Sequence, residues 1–223
     1  MAKATTNNDI TALKGADRVR LRPGVIFGSD GLEGCEHSFF EILSNSIDEA
    51  REGRGDRIIV THFTDDSLEV QDFAGGIPVD WNEREGRYNW ELIFCELYAG
   101  GKYKNNEDAG YSYSLGLNGL GLCATQYASE WMDAEIIHGG FQYNLHFERG
   151  SIAGEMKKEP TRRRQTGTTI RWKPDINVFT DIHIPKDYFL DTMKRQAVVN
   201  AGLTLVLREQ LPDGTFEETT FLY

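Results

Sequence analysis

A chain of 223 residues with 39% hydrophobic content is long enough for one domain with a real core, and 26% charged with 11% aromatic residues exclude a disordered composition. The formal net charge of −11, from 35 acidic against 24 basic residues, excludes non-specific nucleic-acid binding over the whole surface, so any work on DNA is done elsewhere or at a local basic patch. No apolar run has signal-peptide or transmembrane length, and a soluble, cytoplasmic protein is expected.

Residues 1–15 read as an amino-terminal arm and 16–223 as one domain. Ala16 to Leu21 offers a short helix ended by Pro23-Gly24. Arg18, Arg20 and Arg22 alternate there and could meet phosphates, although a solvated helix end is the commoner use of such a pattern. The most ordered stretch follows, at Phe39 to Ala50. On a helix, Phe39, Leu43, Ile47 and Ala50 share one side, while Glu41, Asn45, Asp48 and Glu52 line the other, which predicts an amphipathic helix over about 34–53. A row of acids and amides ordinarily just faces water. The rest of the chain decides whether this row does more.

Arg57 to Phe63 and Ser67 to Asp72, broken by Thr64-Asp65-Asp66, predict a β-hairpin. Asp72 ends the second strand before Phe73-Ala74-Gly75-Gly76-Ile77-Pro78, where an acid either accepts hydrogen bonds in a cleft or bonds its own turn. A helix is predicted over 88–97, then Gly100-Gly101-Lys102, then a long loop at 104–114. Gly116, Gly119 and Gly121 lead into a helix at about 119–129. Strands are predicted at 131–138 and 141–148 around Gly139-Gly140, at 151–157, and at 166–172 before Pro174. Pro185 introduces a helix over 187–201, and 203–207 with 216–223 form a last hairpin around Pro212-Asp213-Gly214. Helices and strands alternate through hairpins rather than β-α-β units, which predicts an α+β chain, a two-layer α/β sandwich on a mixed sheet.

Cys35, Cys95 and Cys123 are odd in number and far apart, so buried reduced thiols are expected rather than a disulfide framework. The five histidines show no metal-ligand spacing and no structural zinc is expected. The glycine cluster raises phosphate binding, since glycines admit an anion to the backbone and a helix amino terminus supplies donors. Its order, G-x-x-G-x-G after a loop, fails the dinucleotide-binding context, and Gly101-Lys102-Tyr103 fails as a P-loop.

The combination is more specific than any part. Glu41 with Asn45, Asp72 with Gly76, Gly100-Gly101-Lys102, the Gly116 to Gly121 loop and Thr166-Gly167-Thr168 stand in the order and spacing of the GHKL ATPases. With Leu13-Lys14-Gly15 and Arg20-x-Arg22-Pro23-Gly24, the chain most closely resembles the ATPase subunit of bacterial type II topoisomerases, gyrase B or topoisomerase IV B, over about residues 10–223. The resemblance implies the Bergerat fold, a mostly antiparallel sheet with helices on one face. It also implies ATP as substrate, magnesium as cofactor, and action on DNA together with an A-type subunit in a heterotetramer.

By the same resemblance, Glu41 is the general base and Asn45 the magnesium ligand, with Asp48 and Glu49 completing an acidic wall. Asp72 accepts the adenine amino hydrogen, assisted by Thr168, with Gly76 giving room for the base and Ile77 beside it. Lys102 and the amides of Leu117, Asn118, Gly119, Leu120 and Gly121 hold phosphates under a lid, and Tyr111 touches adenine or ribose. Four departures stand out. Phe73-Ala74-Gly75-Gly76 replaces Asp-Gly-Arg-Gly, which removes an arginine that pairs near Glu49. His138 stands where gyrases often carry arginine, Asn118 replaces a common histidine, and the loop at 104–114 is slightly longer. The family's second, transducer domain supplies a lysine to the γ-phosphate, so a chain of these residues is expected to bind ATP as a monomer and turn it over slowly. Among other classes, histidine kinases lack a base four residues before the asparagine, and Hsp90-like and mismatch-repair ATPases lack the Arg20-x-Arg22-Pro23-Gly24 opening. A non-catalytic nucleotide-binding regulator is the third alternative.

Overall fold

The computed structural model describes residues 13, 15–98 and 120–223. Two short helices, α1 (Asp17–Arg20) and α2 (Pro23–Phe27), precede the long α3 (Leu32–Arg51). The hairpin β1 (Arg57–His62) and β2 (Leu68–Asp72) follows, then a small ribbon of β3 (Trp81–Asn82) and β4 (Arg87–Tyr88) and the helix α4 (Asn89–Cys95). Next come α5 (Gly121–Tyr127), β5 (Ser129–His138), β6 (Phe141–Glu148), β7 (Ser151–Ile152), β8 (Lys157–Pro160) and β9 (Gly167–Pro174). Helix α6 (Lys186–Val199) and the hairpin β10 (Thr204–Gln210) and β11 (Phe216–Phe221) close the domain.

The main sheet runs β11-β10-β1-β2-β9-β5-β6-β7, with β8 also paired to β6. Every pairing in it is antiparallel except β1 with β10, joined in register from Arg57 opposite Thr204 to His62 opposite Glu209. It is therefore the mixed, mostly antiparallel sheet expected. Strand alternation sets its two faces. Val60, Val70, Met132, Ile136, Ile170 and Leu205 are buried on one face against α3 and α6. Phe39 and Phe189 meet there edge to face at 4.9 Å between ring centroids. Glu69, Gln71, Asp133, Glu135, Thr169 and Arg171 line a polar hollow on the other face.

Helix α3 is held by its apolar stripe, since Phe39, Leu43 and Ile47 are fully buried and side chains of that size each contribute roughly 1.5–3 kcal/mol. Its opposite side does not face bulk water throughout, because Asp48 is buried as well.

Some expected boundaries move for local reasons. Pro23-Gly24 starts α2 instead of ending a helix, because proline at the first helical position gives up only an N–H that would lack a partner there, and Gly28 at φ +79° then closes the turn. The expected strand at 151–157 is two pieces, β7 and β8, divided at Gly154, whose φ of +92° breaks an extended run. Ser129 starts β5 earlier than expected, pairing with Pro174 across a bulge. The β3/β4 ribbon was not foreseen. Arg20 is engaged within the fold rather than at a solvated helix end. It donates to the Tyr127 and Ser129 carbonyls at 2.9 and 3.1 Å and to Asp175 Oδ2 at 2.5 Å, tying α1 to the end of α5. Cys35 and Cys123 are buried free thiols and Cys95 is a half-buried one.

Candidate functional site

Two polar clusters lie along α3, little more than a helical turn apart. The first is built on Glu41. His37, one turn earlier, places Nε2 3.1 Å from Glu41 Oε1 and Nδ1 3.0 Å from the Phe27 carbonyl. A carbonyl can only accept, so Nδ1 carries a hydrogen, and the contact at Nε2 then needs a proton lying between ring and carboxylate. The hydrogen bond to Glu41 accordingly raises the His37 pKa, against the opposing effect of burial. Gly121, the first residue of α5, lies against the other carboxylate oxygen: a Cβ there would come within 2.1 Å of Glu41 Oε2. One turn along α5, Thr125 Oγ1 donates to the Ser38 carbonyl at 3.1 Å and fixes the two helices together. Glu41 thus has one oxygen held by a histidine and the other beside a backbone that admits no side chain, an arrangement able to orient a carboxylate for proton transfer.

The second cluster is built on Asp72, 7% exposed at the end of β2. Its Oδ1 accepts from the Ala74 and Thr168 amides, both at 3.1 Å, and its Oδ2 accepts from Ser46 Oγ at 3.0 Å. Burial pushes the Asp72 carboxyl above its ordinary pKa despite these three bonds, and the charge of Glu49 pushes the same way. Thr168 also accepts from the Ile77 amide through Oγ1, at 3.2 Å. Gly76, at φ +77°, packs so closely that a Cβ would meet the Ile137 carbonyl at 2.5 Å, so the space its missing side chain leaves is taken by β5. Gly167 touches the Asp72 carbonyl in the same way, with 2.2 Å to an added Cβ. The acid therefore bonds its own turn through the Ala74 amide, and beyond it the β9 backbone and Ser46 of α3.

Asn45 lies half-buried on α3, one turn past Glu41 and next to Ser46, and so between the clusters. Leu120 caps the start of α5, where its carbonyl accepts from Ala124 at 2.7 Å. Glu49 is paired after all: with Gly75 in place of an arginine, Arg54 from beyond the end of α3 donates through Nε to Glu49 Oε2 at 2.8 Å. His138 bonds the Gly75 carbonyl at 2.8 Å. Lys102, Tyr111, Leu117, Asn118 and Gly119 lie outside the described residues. Sequence reasoning passed over His37 and Ser46. His37 stands four residues before Glu41, a spacing that makes helix neighbours and could have flagged it. Nothing in the sequence marks Ser46.

The His37–Glu41 contact makes a pH prediction. With the folded pKa of His37 raised above its ordinary 6.5, the contact stabilises fully below that pH and is lost as pH rises through the raised value. Both side chains are substantially exposed, so the contribution stays below about 1 kcal/mol. Thermal melts of the wild type from pH 5.5 to 9 should lose stability over that interval relative to His37→Gln, and parallel curves would contradict the contact.

The chain is 36% identical over 217 residues to the gyrase B protein of Treponema denticola, an alignment covering 97% of this chain and 33% of that protein. It is 36% identical over 207 residues to the gyrase B protein of Thermus thermophilus, covering 90% and 31%. The topoisomerase IV B protein of Bacillus subtilis is 33% identical over 204 residues, covering 92% and 30%. Among solved structures, the 43K ATPase domain of Thermus thermophilus gyrase B in complex with an aminocoumarin matches with a TM-score of 0.76 and 29% identity, over 93% of this chain and 51% of that one. The chain belongs to the gyrase B and topoisomerase IV B family. It spans about a third of the length of these gyrase B and topoisomerase IV B relatives and matches their ATPase domain. The GHKL resemblance and the α+β sandwich expected from sequence both hold. A search against family models found no match.

Proposed function

We propose that this chain is the ATP-binding and hydrolysing domain of a B-type type II DNA topoisomerase protein, coupling the nucleotide cycle to DNA strand passage together with an A-type subunit. The observation that carries the reading is Glu41, fixed between His37 and Gly121 on the helix whose next turns bear Asn45 and the Ser46 bond to Asp72.

In this reading residues 16–223 are the ATP domain and 1–15 an arm. Asp72 accepts the adenine amino hydrogen, and Thr168, Gly76 and Ile77 form the wall beside it. Glu49 stands at the rim, and Lys102, Tyr111 and the segment Leu117 to Gly121 contribute from the phosphate side. Glu41 takes the proton of the attacking water through the oxygen that His37 leaves free, while His37 holds its orientation. Among the described residues no group of three or more His, Cys, Asp or Glu could hold a metal ion. The half-buried Asn45 amide oxygen, one turn past Glu41, would be the protein ligand of a magnesium ion carried in by the triphosphate, because magnesium keeps most of its shell as water and phosphate. When bound, the ion neutralises phosphate charge; orientation and proton transfer rest with the side chains.

A polypeptide of these 223 residues is expected to bind ATP as a monomer and to release phosphate slowly, since the resemblance assigns a γ-phosphate lysine to a second domain. Phosphate release measured beside a longer B-type protein tests this. Rates at least about a hundredfold lower for the short chain support the division of labour, and equal rates refute it.

A further inference from the structure

The turn Phe73 to Gly76 forms the rim beside Asp72, and each of its first three carbonyls is held from the sheet side. Gln165 Nε2 donates to Phe73 O at 3.1 Å, Thr166 Oγ1 to Ala74 O, and His138 Nδ1 meets Gly75 O at 2.8 Å. After Phe73 the rim turn carries only Ala74, Gly75 and Gly76, which offer no long side chain. There Gly53-Arg54-Gly55 crosses it. Gly53 and Gly55 take φ of +77° and +83°, reversing the chain after α3, and Gly55 packs so tightly that a Cβ would lie 2.9 Å from Phe73 O. This reversal carries Arg54 back over its own helix. Its amide donates to Glu49 O at 3.1 Å, its Nε to Glu49 Oε2 at 2.8 Å, and its Nη2 to Glu52. Its Cδ stands 3.6 Å from where a Cβ on Gly75 would be. The Arg54 stem thus passes beside Gly75 of the rim while its guanidinium is held by Glu49 and Glu52.

We propose that Arg54 is a positioning residue of the nucleobase pocket, neutralising Glu49 and bracing the Phe73 to Gly76 rim from outside so that Asp72 keeps its acceptor charge and place. The inference rests on the nucleotide-binding reading above. An exposed ion pair of this kind adds little to stability, so its effect falls on the pocket. Glu49 stands near enough to Asp72 for its charge to favour the protonated acid, and a neutral carboxyl is a poorer acceptor for an amino hydrogen. With Arg54 removed, Glu49 repels Asp72 uncompensated.

The test is calorimetric titration of a non-hydrolysable ATP analogue with magnesium into the wild type, Arg54→Ala, Arg54→Lys and Glu49→Gln/Arg54→Ala, with thermal melts of each. The expected result is a loss of about five- to tenfold in affinity for Arg54→Ala with little change in melting temperature. Arg54→Lys should fall within about threefold of the wild type, and the double variant should bind more tightly than Arg54→Ala, since glutamine carries no charge to repel Asp72. Wild-type affinity in Arg54→Ala overturns the proposal, as does a double variant no tighter than the single one. A wild type that binds no analogue defeats the nucleotide-binding reading instead.

Discussion

Glu41→Ala in a longer B-type protein carrying this domain is expected to lower the rate of ATP hydrolysis by about 10²–10⁴-fold, the usual worth of a positioned general base. Affinity for a non-hydrolysable analogue should stay within about threefold, because the residue takes part in the transition state more than in ground-state binding. The local structure argues that the loss will be one of chemistry rather than of folding. Alanine removes a carboxylate that Gly121 touches without filling the core, since Glu41 lies on the polar side of α3 while Phe39, Leu43 and Ile47 carry the packing. Glu41→Gln separates the two further, as it keeps the shape and can still meet His37 but takes up no proton. Single-turnover hydrolysis beside analogue binding measures both quantities, and unchanged hydrolysis in either variant refutes the base assignment.

Asp72→Asn is expected to act on binding rather than turnover. Asp72 accepts from three donors, Ser46 Oγ and the Ala74 and Thr168 amides. An asparagine can present only one oxygen, so its NH₂ must face either a protein donor or the incoming adenine amino group. Each such mismatch costs about 1–3 kcal/mol, which lowers affinity by roughly tenfold to more than a hundredfold. The effect on folding is smaller, because asparagine also removes a buried charge whose pKa burial already raises, and the two changes oppose each other. Affinity and melting temperature should therefore separate, with a large loss in the first and a modest shift in the second. Equal affinity would show that Asp72 serves only its own turn.

Much of this site could be read in the chain itself because helix and strand periodicities placed its parts. The 3.6-residue spacing put Glu41 and Asn45 on one side of α3, and the hairpin pattern ended β2 at Asp72. The parts that escaped depend on contacts between elements distant in sequence. Ser46 reaches Asp72 only because α3 lies across β2, and Thr168 reaches it only because β9 pairs with β2 in a particular register. Arg54 was invisible for another reason. Its position depends on two glycines in left-handed conformations, which reverse the chain after α3 and return the guanidinium to Glu49. The sequence showed an arginine missing from the rim, and nothing local indicated that one would arrive from the far end of a helix. Arg20 taught the converse, since a pattern of alternating arginines fitted phosphate contact and the fold used its middle member to clamp α5.

The central claim is that the polar side of α3 together with the end of β2 forms an ATP pocket. Calorimetric titration of this chain with a non-hydrolysable ATP analogue and magnesium tests it most directly. Saturable binding with one nucleotide per chain is expected. An absence of binding heat and of any analogue-dependent rise in melting temperature, in a chain whose thermal melt shows it to be folded, would contradict it.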